Sequence, residues 1–154
     1  MPETIPTEPR AAEAPLEPAG VVRRIAAGVY DLLPLAALWM IGTALLMPFT
    51  RGGIAPNTIW YDVYLLAIAF AYFGYSWTHG GQTIGGKAWR LKVVDESGGT
   101  IDWPKAALRF VVGFIGTALI GVGLLAGLLD PRRRMWQDMA AGTLVLSVPR
   151  HSKA

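Results

Sequence analysis

The 154 residues are 53% hydrophobic and only 16% charged, with 18 glycines and 6 tryptophans. These proportions are typical of a protein embedded in a bilayer and argue against an ordinary soluble domain. The net charge is +3, and the basic residues cluster beside hydrophobic runs, which indicates contact with anionic lipid headgroups rather than nucleic acid. The chain has no cysteine, so disulfides, thiol catalysis and cysteine-ligated metals are excluded.

The first 19 residues are acidic and rich in proline, with four glutamates against Arg10 alone. A secretion signal is basic and then apolar, so this stretch is not one. Its composition is typical of a solvated, disordered tail. We therefore expect a tail over residues 1–19, a membrane domain over residues 20–149 and a basic C-terminal tail over residues 150–154.

Two runs are long enough to be membrane helices. Residues 32–50 contain no charge and are extended by the apolar residues 25–30, which makes a helix able to cross about 30 Å of hydrocarbon. The second run, residues 59–77, is rich in aromatic residues, which are common at membrane interfaces. The turn between them carries one charge, Arg51, which the positive-inside rule assigns to the external side. We expect a multi-pass protein of the cell (inner) membrane with a cytoplasmic N-terminus.

The residues after the second run predict a small cytoplasmic cap. Trp89–Val94 alternates apolar with basic residues, residues 95–99 supply a turn, and Thr100–Trp103 would return as the second strand of a hairpin. Residues 143–148 alternate in the same way and predict a third strand that joins the hairpin.

A third hydrophobic segment begins at Pro104, and its uncharged residues 110–129 are long enough to cross the membrane once. A single crossing would place the basic C-terminal region outside, against the positive-inside rule. The glycines of residues 121–123 predict instead a re-entrant pair of half-helices. A short interfacial helix over residues 130–142 would follow, with Asp130 as its cap, Pro131 at its start and Gly142 at its end. The predicted fold class is therefore an α-helical membrane protein with two spans, a third segment that re-enters or crosses once, and a hairpin or three-stranded cap.

Two acidic residues are candidates for chemistry. Asp31 and Arg24 are seven residues apart, on one helix face and about 10 Å apart along the axis. A carboxylate at this depth must be paired, be protonated or face a polar cavity. Asp31 is therefore a cation or proton site, or it lies within reach of the lipid headgroups or pairs structurally with an arginine. Because they share a helix face, we predict that Arg24 and Asp31 form one electrostatic unit. Asp138 is either a second carboxylate at the cytoplasmic mouth or an acceptor of structural hydrogen bonds.

Residues 81–87 fit the first seven positions of a phosphate-binding P-loop, but Ala88 replaces the residue that would hold magnesium, and a membrane helix stands where a strand is needed. A sharp turn at the membrane surface is the better interpretation. The basic residues expected to contact lipid headgroups are Lys87, Arg90, Lys92, Arg132, Arg133 and Arg134.

Neither histidine, His79 or His151, has a His or carboxylate at ligand spacing, so no metal site is expected. The chain also offers no pairing of a nucleophile with a base. We expect neither an enzyme nor a bound cofactor.

Several segments resemble the RDD family of small integral membrane proteins, named for an arginine and two aspartates. Residues 24–31 resemble its opening signature, and the later motifs match in order from about Val21 to Val148. The segments that carry these later motifs are residues 82–85, 91–95, 107–109, 130–134 and 138–143.

The resemblance implies roles for individual positions. In the family a lysine usually follows the Thr-x-Gly element directly, but here Gly86 stands between them and the lysine is Lys87. The histidine that is common before the final aspartate is Gln137 in this chain. By position, the name residues are Arg24, Asp31 and Asp138, with Thr83, Gly85 and Arg109 as supporting positions.

The resemblance also implies transport, with cation/proton exchange suggested for some members. We therefore predict a small transporter that works as a homo-oligomer or with a membrane partner, and Asp31, Asp138 and Arg24 are the candidates for its ion or proton pathway. The alternative is a non-transporting accessory or scaffold protein, because one acidic residue near one face does not make a polar path in a single copy.

Overall fold

The structure is a computed structural model that describes residues 17–50, 53, 58–119 and 127–149. Three long helices are accompanied by two short helices and a small sheet. In chain order the elements are β1 (Glu17–Pro18), α1 (Val21–Leu46), α2 (Ile59–His79), α3 (Ile84–Ala88), β2 (Leu91–Asp95), α4 (Trp103–Ala118), α5 (Trp136–Ala141) and β3 (Thr143–Ser147).

In the described part of the chain, α1 is the one helix that is both long and apolar enough to cross a membrane. Its 26 residues extend about 39 Å. Large apolar side chains such as Val22, Leu33 and Leu45 point outward from α1. An apolar surface of this kind suits lipid better than water.

α2 has 21 residues and so the length of the second predicted span, but it is not apolar enough throughout to meet the criterion that α1 meets. The helices α1 and α2 are joined by polar contacts. Trp39 Nε1 donates to the Leu65 carbonyl at 2.9 Å, and the Thr43 and Tyr61 hydroxyls are 2.6 Å apart. Such contacts hold helices together where neighbouring lipid offers no hydrogen-bond partner.

The sheet is antiparallel, and its strand order is β1-β3-β2. The predicted strand at residues 143–148 is confirmed as β3, which pairs with β2 from Leu91↔Ser147 to Asp95↔Thr143. The predicted returning strand Thr100–Trp103 is wrong. Asp102 instead caps α4 by accepting a hydrogen bond from the Lys105 N–H at 3.1 Å, so a helix start outweighs a short alternation there.

The N-terminal tail expected over residues 1–19 ends earlier. Glu17 and Pro18 pair with Ser147 and Leu146, and the Ala19 N–H donates to the Val145 carbonyl at 2.9 Å. Backbone pairing at the open edge of β3 therefore orders residues whose composition indicates disorder. Residues 1–16 and the expected tail over 150–154 lie outside the described residues.

The third hydrophobic segment begins as α4, which carries Pro104 in its first turn as predicted. The predicted break at residues 121–123 lies outside the described residues. After it, α5 packs beside the first half of α4, where Asp138 contacts Arg109. Gly127 also lies beside the first residue of α1, since a Cβ added there would be 3.2 Å from Val21 Cγ2.

The short helix predicted over residues 130–142 begins later than expected, as α5 at Trp136. Asp130 does not cap it, because its carboxylate instead accepts hydrogen bonds from the backbone N–H and the side chain of Arg134. The predicted end is confirmed, since Gly142 stops the helix in the left-handed conformation at φ 59°.

Candidate functional site

The first cluster of buried polar groups, here called the Asp138 cluster, joins α1, α4, α5 and β3 through Arg24, Arg109, Asp138 and Thr143. Asp138 is 0% exposed. Its carboxylate accepts hydrogen bonds from the Arg24 and Arg109 side chains and from the Met135 N–H at 2.8 Å. Because α5 begins at Trp136, Asp138 lies in the first turn of this helix, and its carboxylate binds the backbone of Met135, the residue just before the helix.

Both arginines have further partners. Arg109 donates to Thr143 Oγ1 at 2.6 Å and lies 5.1 Å from the centroid of the Trp77 ring. Arg24 donates to the Arg133 carbonyl at 2.8 Å. Two guanidinium groups therefore share one carboxylate, and the Arg109 Nε–H has no acceptor among the described residues.

The charge state of Asp138 follows from two opposed effects. Burial favours the neutral acid and raises its pKa, but the positive charges of Arg109 and Arg24 outweigh burial and hold the pKa below its ordinary value. Asp138 is therefore ionised at neutral pH. It is the counter-ion that makes the two buried arginines tolerable.

The second cluster, here called the Asp31 cluster, links α1 to α2 and to the segment that opens α3. Asp31 is 3% exposed. Its carboxylate accepts hydrogen bonds from Thr83 Oγ1 at 2.6 Å, the Gly85 N–H at 2.8 Å and the Tyr72 hydroxyl at 2.7 Å. All three donors are neutral, and no basic residue in the described part of the chain forms an ion pair with Asp31.

The predicted pairing of Arg24 with Asp31 is therefore wrong, because the two residues belong to different clusters. Two helical turns place them about 10 Å apart along α1, and each finds nearer partners on other elements. Arg24 bonds to Asp138, whereas Asp31 bonds to Thr83 and Gly85.

The structure gives the supporting positions direct contacts. Thr83 and Gly85 donate to Asp31, and Arg109 donates to Asp138. Two further residues that contact the clusters, Tyr72 and Thr143, were not predicted from the sequence. Tyr72 lies in an aromatic run that is typical of membrane interfaces, and a single threonine in a strand carries no signal for a buried contact.

The segment that resembles a P-loop has a different structure. Thr83 caps α3 by accepting a hydrogen bond from the Gly86 N–H at 2.9 Å, so these backbone groups are used within the chain. The predicted headgroup contacts differ in exposure. Lys87, Arg90, Arg132 and Arg133 are exposed, Lys92 is half-buried, and Arg134 is half-buried and paired with Asp130 and Glu96.

A cavity of about 550 Å³ lies between α1, α2 and α4 and reaches both clusters. Arg24, Asp31 and Arg109 line one end of it. The walls beyond are apolar and include Leu35 and Phe114. Among the described residues, no group of three or more His, Cys, Asp or Glu side chains stands close enough together to hold a metal ion.

A substitution at Gly85 tests how closely α3 packs against α1 in the Asp31 cluster. A Cβ added at Gly85 would lie 2.1 Å from the Ala27 carbonyl oxygen and 2.9 Å from Asp31 Cγ, so Gly85→Ala must push α3 away from α1. We expect a loss of about 1–3 kcal/mol in unfolding free energy, typical of overpacking. Gly28→Ala is the control, because nothing lies within 4 Å of its added Cβ. Thermal unfolding in mild detergent measures both, and equal midpoints for the two variants would contradict the close contact.

Comparison with known proteins places the chain in one group. Searches of curated proteins and of solved structures found no match. The family model for the RDD family matches residues 18–142, a range that contains the Asp31 cluster and all of the Asp138 cluster except Thr143. Because this match covers most of the sequence, the chain belongs to the RDD family, a family of membrane proteins whose function is unknown.

Proposed function

We propose that this protein transports a cation or proton across the membrane, and that Asp31 is the group that binds it. The observation that carries the proposal is the environment of Asp31, a carboxylate that is 3% exposed and lines the cavity. Within the described part of the chain, its hydrogen-bond donors are all neutral. A buried carboxylate without a cationic partner is costly, and binding a proton or a cation relieves that cost.

Asp138 and Arg24 are assigned a structural role in this proposal. Asp138 already has two guanidinium partners, so it has no need of a transported cation. Arg24 is held by Asp138 and by the Arg133 carbonyl. These contacts fix the first turn of α1 against α4 and α5, and so they hold the cavity open at the end where Asp31 lies.

The described residues of a single copy offer no polar path beyond Asp31, because the cavity walls that they form are largely apolar. We therefore propose a path formed between several copies of the chain. The same apolar walls favour the second candidate function, a non-transporting accessory or scaffold protein. In that case the Asp31 cluster only fastens α3 to α1.

Both termini are expected on the cytoplasmic side. The start of α1 and residues 127–149 meet in the sheet and in the Asp138 cluster, and exposed basic residues such as Lys87, Arg90 and Arg132 lie in the segments near them. Basic residues of this kind favour the cytoplasmic leaflet and its anionic headgroups. Accessibility of N- and C-terminal tags in sealed vesicles measures the topology, and tags reached from opposite sides would mean that the third segment crosses once.

Ion and proton flux in proteoliposomes tests the transport proposal. The wild type is expected to couple an alkali cation gradient to a change of internal pH, whereas Asp31→Asn is expected to fall to the level of empty vesicles while it still inserts and assembles. Asp130→Asn is the matched control, because Asp130 pairs with Arg134 away from the cavity. Native mass spectrometry in mild detergent verifies assembly. Equal flux through wild type and Asp31→Asn, or no flux above empty vesicles, would leave the accessory function.

A further inference from the structure

The cavity between α1, α2 and α4 favours a neutral occupant. Arg24, Arg109 and Asp31 are the charged residues that line it in the described part of the chain, and Asp138 pairs with both arginines. Two positive and two negative side chains therefore meet at this end of the cavity, and their charges balance. A charged ligand would bring an uncompensated charge into a largely apolar space, which is costly.

The walls beyond this end favour an apolar chain. They consist largely of aliphatic and aromatic side chains, and the volume of about 550 Å³ lies within the range of about 300–1,000 Å³ that small-molecule sites occupy. Gly28 of α1 leaves part of this room, because nothing lies within 4 Å of a Cβ added there. Apolar cavities stay dry and accept apolar molecules, and in a bilayer the nearest apolar molecules are lipid chains.

Gln137 of α5 brings a neutral polar group to this apolar space. Its side chain lines the cavity and lies against Gly113 of α4. A Cβ added at Gly113 would be 3.7 Å from Gln137 Cβ and 3.9 Å from Gln137 Cδ. Because glycine has no side chain, the amide of Gln137 can lie along α4 and reach the cavity.

This amide has hydrogen-bonding capacity that the described residues leave unused. Gln137 Nε2 donates only to Met135 Sδ at 3.5 Å, a weak acceptor, and Gln137 Oε1 accepts no hydrogen bond from them. The hydroxyls of Thr83 and Thr117 also line the cavity, but they already donate to Asp31 and to the Gly113 carbonyl. Gln137 is therefore the group that can fix the position of a ligand.

A hydroxyl fits this amide, because one hydroxyl can donate to Oε1 or accept from Nε2. We propose that the cavity binds one neutral lipid that carries a free hydroxyl, such as a monoacylglycerol, with the hydroxyl at Gln137 and the hydrocarbon chain along the apolar walls. The proposal uses none of the charged groups and does not depend on transport. Asp31 keeps its three neutral donors, so lipid binding and cation binding are tested separately.

Native mass spectrometry of the full chain in mild detergent tests the proposal by lipid titration. The three probes share one acyl chain: monooleoylglycerol carries free hydroxyls, methyl oleate is neutral and has none, and oleate is charged. We expect half-saturation with monooleoylglycerol at a concentration at least about threefold below that for methyl oleate or oleate, the effect of one hydrogen bond. Equal half-saturation for the two neutral probes would overturn the role of the hydroxyl, and tighter binding of oleate would show that the cavity selects a charge.

Two variants locate the bound lipid. Gln137→Leu has a similar volume and loses only the weak contact with Met135, so it is expected to fold as the wild type does and to lose the preference for monooleoylglycerol over methyl oleate. Gly28→Phe fills the cavity and should weaken the binding of both neutral probes at least about tenfold. Ala36→Phe is the control, because it adds the same ring at an exposed position of α1 that does not line the cavity.

Three results with these variants would overturn the proposal. A preference that persists in Gln137→Leu would mean that another group holds the hydroxyl. Equal binding by Gly28→Phe and Ala36→Phe would place the lipid on the outer surface of the helices. A dimer that Gly28→Phe disrupts, with no lipid retained by either form, would show that a second copy of the chain covers this face. If Gln137→Leu unfolds at lower temperature, the comparison of the two neutral probes on the wild type still decides.

Discussion

Replacing Asp138 by asparagine is expected to lower the unfolding free energy by about 3–5 kcal/mol, the cost typical of breaking a buried ion pair. Asparagine keeps the volume but removes the charge, so the guanidinium groups of Arg24 and Arg109 lose the one carboxylate that both contact. Denaturant unfolding in mild detergent, followed by tryptophan fluorescence, measures the loss. Trp77 reports directly on the cluster because its ring lies beside Arg109.

The control for this prediction is Asp130→Asn. Asp130 also pairs with an arginine, Arg134, but the two side chains are 14% and 25% exposed, so water replaces part of the lost contact and a smaller loss is expected. A rescue variant sharpens the test. Replacing Arg24, Arg109 and Asp138 together by apolar residues of similar size should recover much of the stability lost in Asp138→Asn. Equal midpoints for Asp138→Asn and Asp130→Asn would contradict the assignment of Asp138 as a buried counter-ion.

Arg24 is expected to be coupled to Asp138 and independent of Asp31. Arg24→Ala leaves Asp138 with fewer partners, so combining it with Asp138→Asn should cost less than the sum of the two single losses, with an interaction energy of about 0.5–3 kcal/mol. Combining Arg24→Ala with Asp31→Asn should give a sum within about 0.5 kcal/mol, because the two side chains share no hydrogen-bond partner.

Unfolding free energies of the three single and two double variants decide between the two pairings. The wild type and Asp31→Asn also serve the flux measurement, which connects the stability data to function. Coupling between Arg24 and Asp31 of more than about 1 kcal/mol would show that the two clusters act as one electrostatic unit. That result would also weaken the proposal that Asp31 lacks a cationic partner.

Local patterns predicted the elements whose signals lie within a few residues. Pro104 placed the start of α4, Gly142 placed the end of α5, and alternation over residues 143–148 gave β3. Competing local signals explain two errors. Asp102 with Pro104 starts a helix where alternation suggested a strand, and Asp130 binds Arg134 instead of capping a helix.

Partners distant in sequence were harder to predict. Helical spacing correctly places Arg24 and Asp31 on one helix, but it cannot show that Asp138 reaches Arg24 from the far end of the chain. The family resemblance named every one of these residues, yet it did not show which arginine serves which aspartate. Only the fold separates Asp138, with its two cations, from Asp31, with its neutral donors.

The position of β3 has a consequence for the order in which a ribosome delivers this chain. β3 is the central strand, yet it follows every helix and both of its neighbouring strands in the sequence. Until β3 has been synthesised, β1 and β2 lack the strand with which both pair. Arg24 and Arg109 likewise lack their carboxylate partner, Asp138, which also lies late in the sequence. The cap and the Asp138 cluster can therefore close only after residues 136–147 have been made. A nascent chain that stops before α5 would leave Arg24 and Arg109 without the carboxylate that pairs with both.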